Sequence, residues 1–267
     1  MNLSEISHRF DRAAPDYDQH DALEREVGQR LMERLVFTRV PPNRILDLGC
    51  ATGGTSLGLI ERFPESEIIG LDLSPAMLKH FQGRAETGQD FRGVMGDLTQ
   101  LPFPARSADL IFCNLALQWA GDFVQALNEF RRVLNPEGML LFSVPGPDSL
   151  RELRQRWTEG ADSTIPVYMP DLRDVGDCLV SAGFRDPVMD SELLTLSYRS
   201  VPQMKAELAV TGGAGFADVP ESPEHGGAVE ISFEIVYGAA FGPADGQPRR
   251  TQEGEVATFA VDQLKKL

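Results

Sequence analysis

Long apolar runs are missing from this chain. No stretch approaches the roughly 20 residues that a membrane-spanning helix needs. The N-terminal MNLSEISHRFDRAA has no apolar centre of the kind a secretory signal carries. Neither a membrane segment nor a signal peptide is expected. Cysteine is scarce: Cys50, Cys113 and Cys178 are widely spaced, odd in number and form no CxxC pair. That argues against a disulfide framework and a cysteine zinc site, and fits a reducing cytoplasm. Basic residues are outnumbered, 25 Lys and Arg against 40 Asp and Glu, for a net charge of −15 over 267 residues. Bulk attraction to nucleic acid or to an anionic membrane is thereby disfavoured. The four histidines, His8, His20, His80 and His225, are scattered and suggest no metal site. Hydrophobic content of 42% and charged content of 24% are those of a folded chain, so disorder throughout is excluded.

What is present is an alternation of strand and helix patterns. Leu23, Val27, Leu31 and Leu35 recur every four residues and predict an amphipathic helix over 23–37. Before it, FDRAAPDYD (10–18) reads as a helix end broken at Pro15 and followed by a polar turn. RILDLG (44–49), EIIGLD (67–72), FRGVM (91–95), DLIFC (109–113) and MLLFSV (139–144) read as buried strands. Helices fall between them, one opened by Ser74-Pro75 and one over 122–134, with a turn at NPEG (135–138). Two more helices are predicted at 148–157 and at 171–182, the latter closed by Gly183. VEISFEIVY (229–237) alternates and reads as an antiparallel edge strand. Residues 212–227 are rich in Gly and Pro and read as a mobile loop. The sum is one α/β domain with a parallel sheet and helices on both faces.

The strongest local signal is ILDLGCATGG (45–54), a glycine-rich loop between the first strand and its helix. Glycine lets the backbone approach a ligand, and the helix start offers free N–H groups. Either a dinucleotide pyrophosphate or the methionine end of S-adenosylmethionine suits that geometry. Two features favour the second. Ala51 stands where the dinucleotide fingerprint wants glycine, and Asp47 precedes Gly49 by two, a carboxylate that suits a cation better than a pyrophosphate. Asp72, ending strand two, can accept ribose hydroxyls of either ligand. Asp97 follows strand three and is placed to meet an adenine amino group, and NLALQW (114–119) lies on the carboxyl rim of the sheet.

Together these four motifs, over residues 40–145, resemble the class I S-adenosylmethionine-dependent methyltransferases. That resemblance implies a Rossmann-like, mostly parallel seven-stranded sheet with an antiparallel edge strand. It implies a cofactor set of Asp47, Gly49, Cys50, Ala51, Gly53, Asp72, Leu73, Asp97, Leu98 and Asn114. The flanks narrow it. FDRAAPDYD (10–18), NLALQWAGD (114–122), GPDSLRELR (146–154) and FEIVYGAAFGP (233–243) resemble the malonyl-acyl-carrier-protein O-methyltransferase family of biotin synthesis. The implied activity is methyl esterification of the free carboxylate of malonyl-acyl-carrier protein or malonyl-CoA by a cytoplasmic monomer. The implied layout is an N-terminal helical cap (1–40), a cofactor core (41–146) and substrate-side elements (147–267).

Such a carboxylate is ionised at neutral pH, so no general base is required and the work is placement and exclusion of water. Arg151 and Arg154, then Arg12, are candidates for holding it by a two-point hydrogen bond. Tyr17 is a candidate to close the site, and Trp119 to wall the acceptor pocket. Two departures stand out. The loop reads GCATG where relatives read GCGTG or GCGPG, which is tolerable if Ala51 is right-handed. After Met204, relatives carry a Leu-Lys pair and a further helix; here Ala209 replaces the lysine and Gly and Pro follow. An acidic carrier also requires local basic patches, for which Arg30/Arg34, Arg131/Arg132, Arg151/Arg154/Arg156 and Arg249/Arg250 are candidates. A small-molecule acceptor on the same fold, or an assembly role without methylation, are the alternatives.

Overall fold

The computed structural model describes residues 2–38, 41–84, 91–153, 169–211, 228–243, 249–251 and 254–256. Three helices precede the first strand: α1 (Leu3–Ala13), α2 (Tyr17–His20) and α3 (Ala22–Glu33), the last running into a 3₁₀ turn, Arg34–Phe37. Then β1 (Arg44–Leu48), α4 (Gly54–Arg62), β2 (Glu67–Asp72), α5 (Pro75–Gly83), β3 (Phe91–Met95) and β4 (Ala108–Asn114) alternate. A 3₁₀ turn, Leu117–Trp119, leads to α6 (Phe123–Val133) and β5 (Leu134–Pro145). After them come α7 (Leu172–Ala182), β6 (Arg185–Tyr198), α8 (Val201–Val210) and β7 (Val229–Phe241). A small hairpin, β8 (Arg249–Thr251) with β9 (Gly254–Val256), lies apart from the main sheet.

The main sheet has seven strands in the order β3-β2-β1-β4-β5-β7-β6. The first five are parallel, and β7 and β6 are antiparallel. Chain order reverses between β1 and β4, so the crevice beyond their carboxyl ends is where an open sheet of this kind binds a ligand. Both faces are covered, which is why the strands read as continuous apolar runs. Leu46, Leu48, Ile111 and Phe142 face α6 and α7, meeting Leu127, Phe130, Val175 and Leu179. Their neighbours Ile45, Leu110, Phe112 and Leu141 face the opposite side, meeting Val27, Leu31 and Leu59 of α3 and α4 and Met204 and Leu208 of α8. Each fully buried side chain of this size contributes about 1.5–3 kcal/mol.

Local signals set the helix ends. Asp122 caps α6 by accepting from the Gln125 N–H at 2.9 Å. Asp171 caps α7 from the Asp174 N–H at 2.7 Å, and Gly183, at φ +85°, ends it. Ser74 caps α5 with Pro75 at its first position.

Three expectations change. Residues 229–237 form an inner strand, because β6, unread in the sequence, pairs along its outer side from Tyr198↔Val229 to Arg185↔Phe241. The β6 sequence RDPVMDSELLTLSY hides this edge strand behind Pro187 and three acids. NPEG is not a separate turn. It is a bulge within β5, where pairing jumps from Ala108↔Leu134 to Leu110↔Met139 and Glu137 sits at φ +65°. The polar turn at 15–18 includes the start of α2. The predicted helix at 148–157 is seen as a turn and a helical start to residue 153; its remainder and the loop 212–227 lie outside the described residues.

Candidate functional site

The loop after β1 needs its glycines. Gly49 has φ +77°, and a Cβ there would lie 2.1 Å from the Ala116 Cβ. Gly53, at φ +89°, caps α4. Ala51 is left-handed, φ +46°, so the expectation of a right-handed alanine fails. Its conformation is held by the Ala51 N–H donating to Asp72 Oδ2 at 2.9 Å. The Gly49 and Cys50 N–H groups donate to the Leu71 carbonyl at 2.7 and 3.0 Å. The loop is thus stitched to the end of β2, and the Ala51 methyl packs with Ala13, Ala14, Tyr17 and Met77.

Asp72 ends β2 and also accepts the Ser74 N–H at 2.8 Å. Burial pushes its carboxyl up to about 6, against the pull of these N–H groups. It stands on the wall of an atom-free cleft of about 620 Å³, its open mouth included. One wall is α1, through Leu3, Ile6 and Phe10; the others include Leu71, Ala116 and Trp119. The Phe10 and Trp119 rings meet edge to face, centroids 5.5 Å apart at 89°, and the Arg9 guanidinium lies 5.7 Å over Trp119. Two side-chain contacts fasten α1 across the cleft: Ser7 Oγ donates to the Leu73 carbonyl at 3.1 Å, and Ser74 Oγ donates to Asp11 at 2.6 Å.

A second, smaller cavity of about 360 Å³ shares Tyr17, Gly49, Ala51 and Asn114 with the first. Its remaining walls are polar, with Asp21, Glu24 and Arg25 from the start of α3 and Thr52 and Thr55 from the loop and α4. Tyr17 is buried between the two. Burial, then Glu24, Asp21, Asp72 and Asp18, push its phenol well up, so it stays a neutral O–H donor.

The ten residues expected around the cofactor divide by position. Asp72, Leu73, Asp97 and Leu98 line the first cavity, Cys50 the second, and Gly49, Ala51 and Asn114 both. Asp47 and Gly53 line neither. Asp47 is buried behind the loop, accepts from Ser56 Oγ, and is pushed up to about 7 by burial. Asn114 reaches the cavities while its amide does structural work: Nδ2 donates to the Glu24 carbonyl at 2.8 Å, and Oδ1 accepts from Ser143 Oγ at 2.8 Å. Asp97 accepts from the Thr99 N–H at 2.9 Å and from Thr99 Oγ1 at 2.5 Å. The Cys50 thiol is pushed up by burial and is unreactive.

The substrate-side candidates are less converged. Trp119 walls the first cavity. Arg151 is exposed, 3.3 Å from Glu152, and lines neither cavity; Arg12 is exposed on the last turn of α1. Arg154 and Arg156 lie outside the described residues. Of the proposed basic patches, Arg30 pairs with Glu26 and Glu192, Arg34 with Asp190 at 2.7 Å, and Arg132 with Glu129 at 2.7 Å. Arg131 is buried. The structure also brings in residues that the sequence reading passed over. Leu3, Ile6 and Phe10 recur at helical spacing and were findable; Glu24 and Arg25 carried no local signal. Among the described residues, no cluster of three or more His, Cys, Asp or Glu is arranged to hold a metal ion, and no helix is long and apolar enough to cross a membrane.

Comparison with known proteins agrees with this fold. A family described as a methyltransferase domain matches residues 45–138. Among solved structures, the fold is similar to the YcgJ protein from Bacillus subtilis, with a TM-score of 0.61 at 17% identity over 80% of this chain and 98% of that one. It is also similar to a Haemonchus contortus phosphoethanolamine N-methyltransferase solved with S-adenosyl-L-methionine, with a TM-score of 0.55 at 17% identity over 81% of this chain and 52% of that one. Curated relatives are nearer. The malonyl-[acyl-carrier protein] O-methyltransferase of Halorhodospira halophila is 39% identical over 94% of this chain and 92% of its own. That of Legionella pneumophila is 31% identical over 98% of both chains. With identity at this level along nearly the whole length, the chain belongs to the malonyl-[acyl-carrier protein] O-methyltransferase family.

Proposed function

We propose that the protein methylates the free carboxylate of malonyl-acyl-carrier protein in biotin synthesis, with S-adenosylmethionine as donor. The observation that carries this reading is the cleft at the strand-order reversal. There Asp72 presents a carboxyl to an apolar cavity beside a left-handed glycine loop. The residues fit an adenosine. Asp72 accepts ribose hydroxyls, Asp97 meets the adenine amino group, and Leu3, Ile6, Phe10 and Leu98 supply apolar faces for the base. Gly49 to Gly53 and the start of α4 receive the methionine end. When bound, S-adenosylmethionine supplies an electrophilic methyl group on a sulfonium.

The chain's own residues do the placing. Tyr17, neutral and buried between the cavities, closes the site over the cofactor and offers one O–H. Trp119 walls the acceptor side and, with Phe10, excludes water. Arg151 and Arg154 hold the malonyl carboxylate once the acyl chain is in place. No side chain need remove a proton, because that carboxylate is already ionised at neutral pH. The division into a helical cap, a cofactor core and substrate-side elements follows the same logic. Malonyl-CoA as a second acceptor, a monomeric state and a cytoplasmic location complete the reading; the three free cysteines fit that location.

The test is direct. Malonyl-carrier protein and S-adenosylmethionine should yield the methyl ester by mass spectrometry, faster than free malonate does. Tight cofactor binding without ester formation, or faster turnover of the free acid, refutes the acceptor. Arg151→Ala should raise KM for the malonyl substrate far more than KM for the cofactor; equal changes in both mark a structural helix.

A further inference from the structure

The second cavity holds an acid that the fold does not explain. Glu24, on the first turn of α3, lines it, and its Oε2 is buried with no hydrogen-bond partner among the described residues. Asp21 Oδ1 beside it also lacks a hydrogen bond, though it lies 3.3 Å from Arg25 Nη1. The other groups facing Glu24 are Tyr17 on α2, Tyr198 at the end of β6, and Glu207 and Thr211 at the end of α8. Asp21 and Glu207 repel its charge, and the nearby Thr211 hydroxyl donates to the Glu207 carbonyl at 3.2 Å. Burial pushes the carboxyl up to about 8, so it is held largely neutral at pH 7. A buried, unpaired carboxyl is costly, and a native structure that keeps one has a use for it.

The use is indicated by what surrounds it. The cavity adjoins Gly49 and Ala51, so a ligand whose sugar meets Asp72 runs its other end here. Two acids and one guanidinium line this end, a set that complements an amino acid's ammonium and carboxylate. We propose that Glu24 binds the ammonium of the cofactor's amino-acid end and that Arg25 pairs with its carboxylate. The assignment rests on the reading that the chain binds S-adenosylmethionine. It makes α3, which precedes the whole sheet in sequence, part of the binding site and sets that site against Glu207 of α8.

Calorimetry with two ligands tests it. S-adenosylhomocysteine carries the amino-acid end and 5′-methylthioadenosine does not. Glu24→Gln keeps the shape of a group already neutral, and Arg25→Gln changes an exposed side chain, so both variants should fold. Each should lower affinity for S-adenosylhomocysteine about tenfold or more. Affinity for 5′-methylthioadenosine should stay within about twofold. S-adenosylhomocysteine binding near pH 7 should also release more protons from wild type than from Glu24→Gln, because an ammonium partner ionises the acid. Equal weakening of both ligands gives Glu24 a packing role only and overturns the assignment, as does unchanged affinity for both. Wild-type protein that binds neither ligand overturns the cofactor reading itself.

Discussion

The cavity under α1 and the cavity under the start of α3 share a wall and differ in chemistry. The first is apolar, built by Leu3, Ile6 and Phe10 against the strand rim, with Asp72 and Asp97 as its acidic points. The second is polar, built by Asp21, Glu24 and Arg25 against the glycine loop. One cap segment therefore makes both halves of the site, the amphipathic α1 by burial and the first turn of α3 by charge. Apolar walls gain affinity by removing surface from water with little regard to ligand identity. Charged walls gain little net affinity unless the partner charge is correctly placed, and so they select. The comparison teaches that an adenosine fragment should occupy the first cavity alone, while the second discriminates among ligands that share that fragment.

Changing the shared wall should do the most damage. Gly49→Ala adds a methyl 2.1 Å from the Ala116 Cβ, at φ +77°. The left-handed penalty and the overpacking together should cost about 2–5 kcal/mol, read as a fall in unfolding free energy in urea and a loss of binding in both cavities. Loss confined to one cavity would show that the wall is not shared in function.

Asp72 separates the two cavities more cleanly. Asp72→Ala should weaken adenosine-containing ligands by about 1–3 kcal/mol, including those with no amino-acid end. If affinity is unchanged, the ribose lies elsewhere. The pH dependence has a definite sign. The free carboxyl is held up to about 6, and hydroxyl donors favour its ionised form, so binding lowers that value. For 5′-methylthioadenosine, which has no amino-acid end to reach Glu24, affinity should therefore be full above about pH 6 and fall as pH drops through it, by up to about tenfold per unit. Calorimetric affinities from pH 7 to 5 check this, and Asp72→Asn should flatten the slope.

The smallest effect is expected at Ala51. Ala51→Gly relieves an alanine at φ +46° but loses a methyl packed on Ala13, Ala14 and Tyr17. A net gain of about 0.5–1 kcal/mol is expected, seen as a melting rise of about 1–4 °C. A loss of stability would show that the methyl contact between loop and cap outweighs the strain.

Much of the core was legible. β1, β2, β3 and β4 lie within a residue of the apolar runs that predicted them, because a strand covered on both faces shows as such a run. The cap at Ser74 was visible because a cap is a local hydrogen bond, and the helices that Asp122 and Asp171 cap were placed within a residue of their starts. The edge strand β6 was not, since half of its residues face water and its acids and Pro187 mask the alternation. Of the site, the loop and Asp72 were readable as a glycine and an acid at strand ends. Arg30 and Arg34 read as a free basic patch, yet they tie α3 to β6 through Glu192 and Asp190.

By itself, then, the order of residues determined the strand and helix alternation, the glycines at Gly49 and Gly53, and the acid at the end of β2. These answer to backbone geometry and to burial along one short segment. Only the tertiary structure decided that Phe10 meets Trp119, that Asp47 sits behind the loop on Ser56 and off the cavity walls, and that Glu24 is left without a hydrogen-bond partner at one oxygen among the described residues. A side chain's partners depend on which distant segments become neighbours, and that is settled by the packing of the cap onto the sheet.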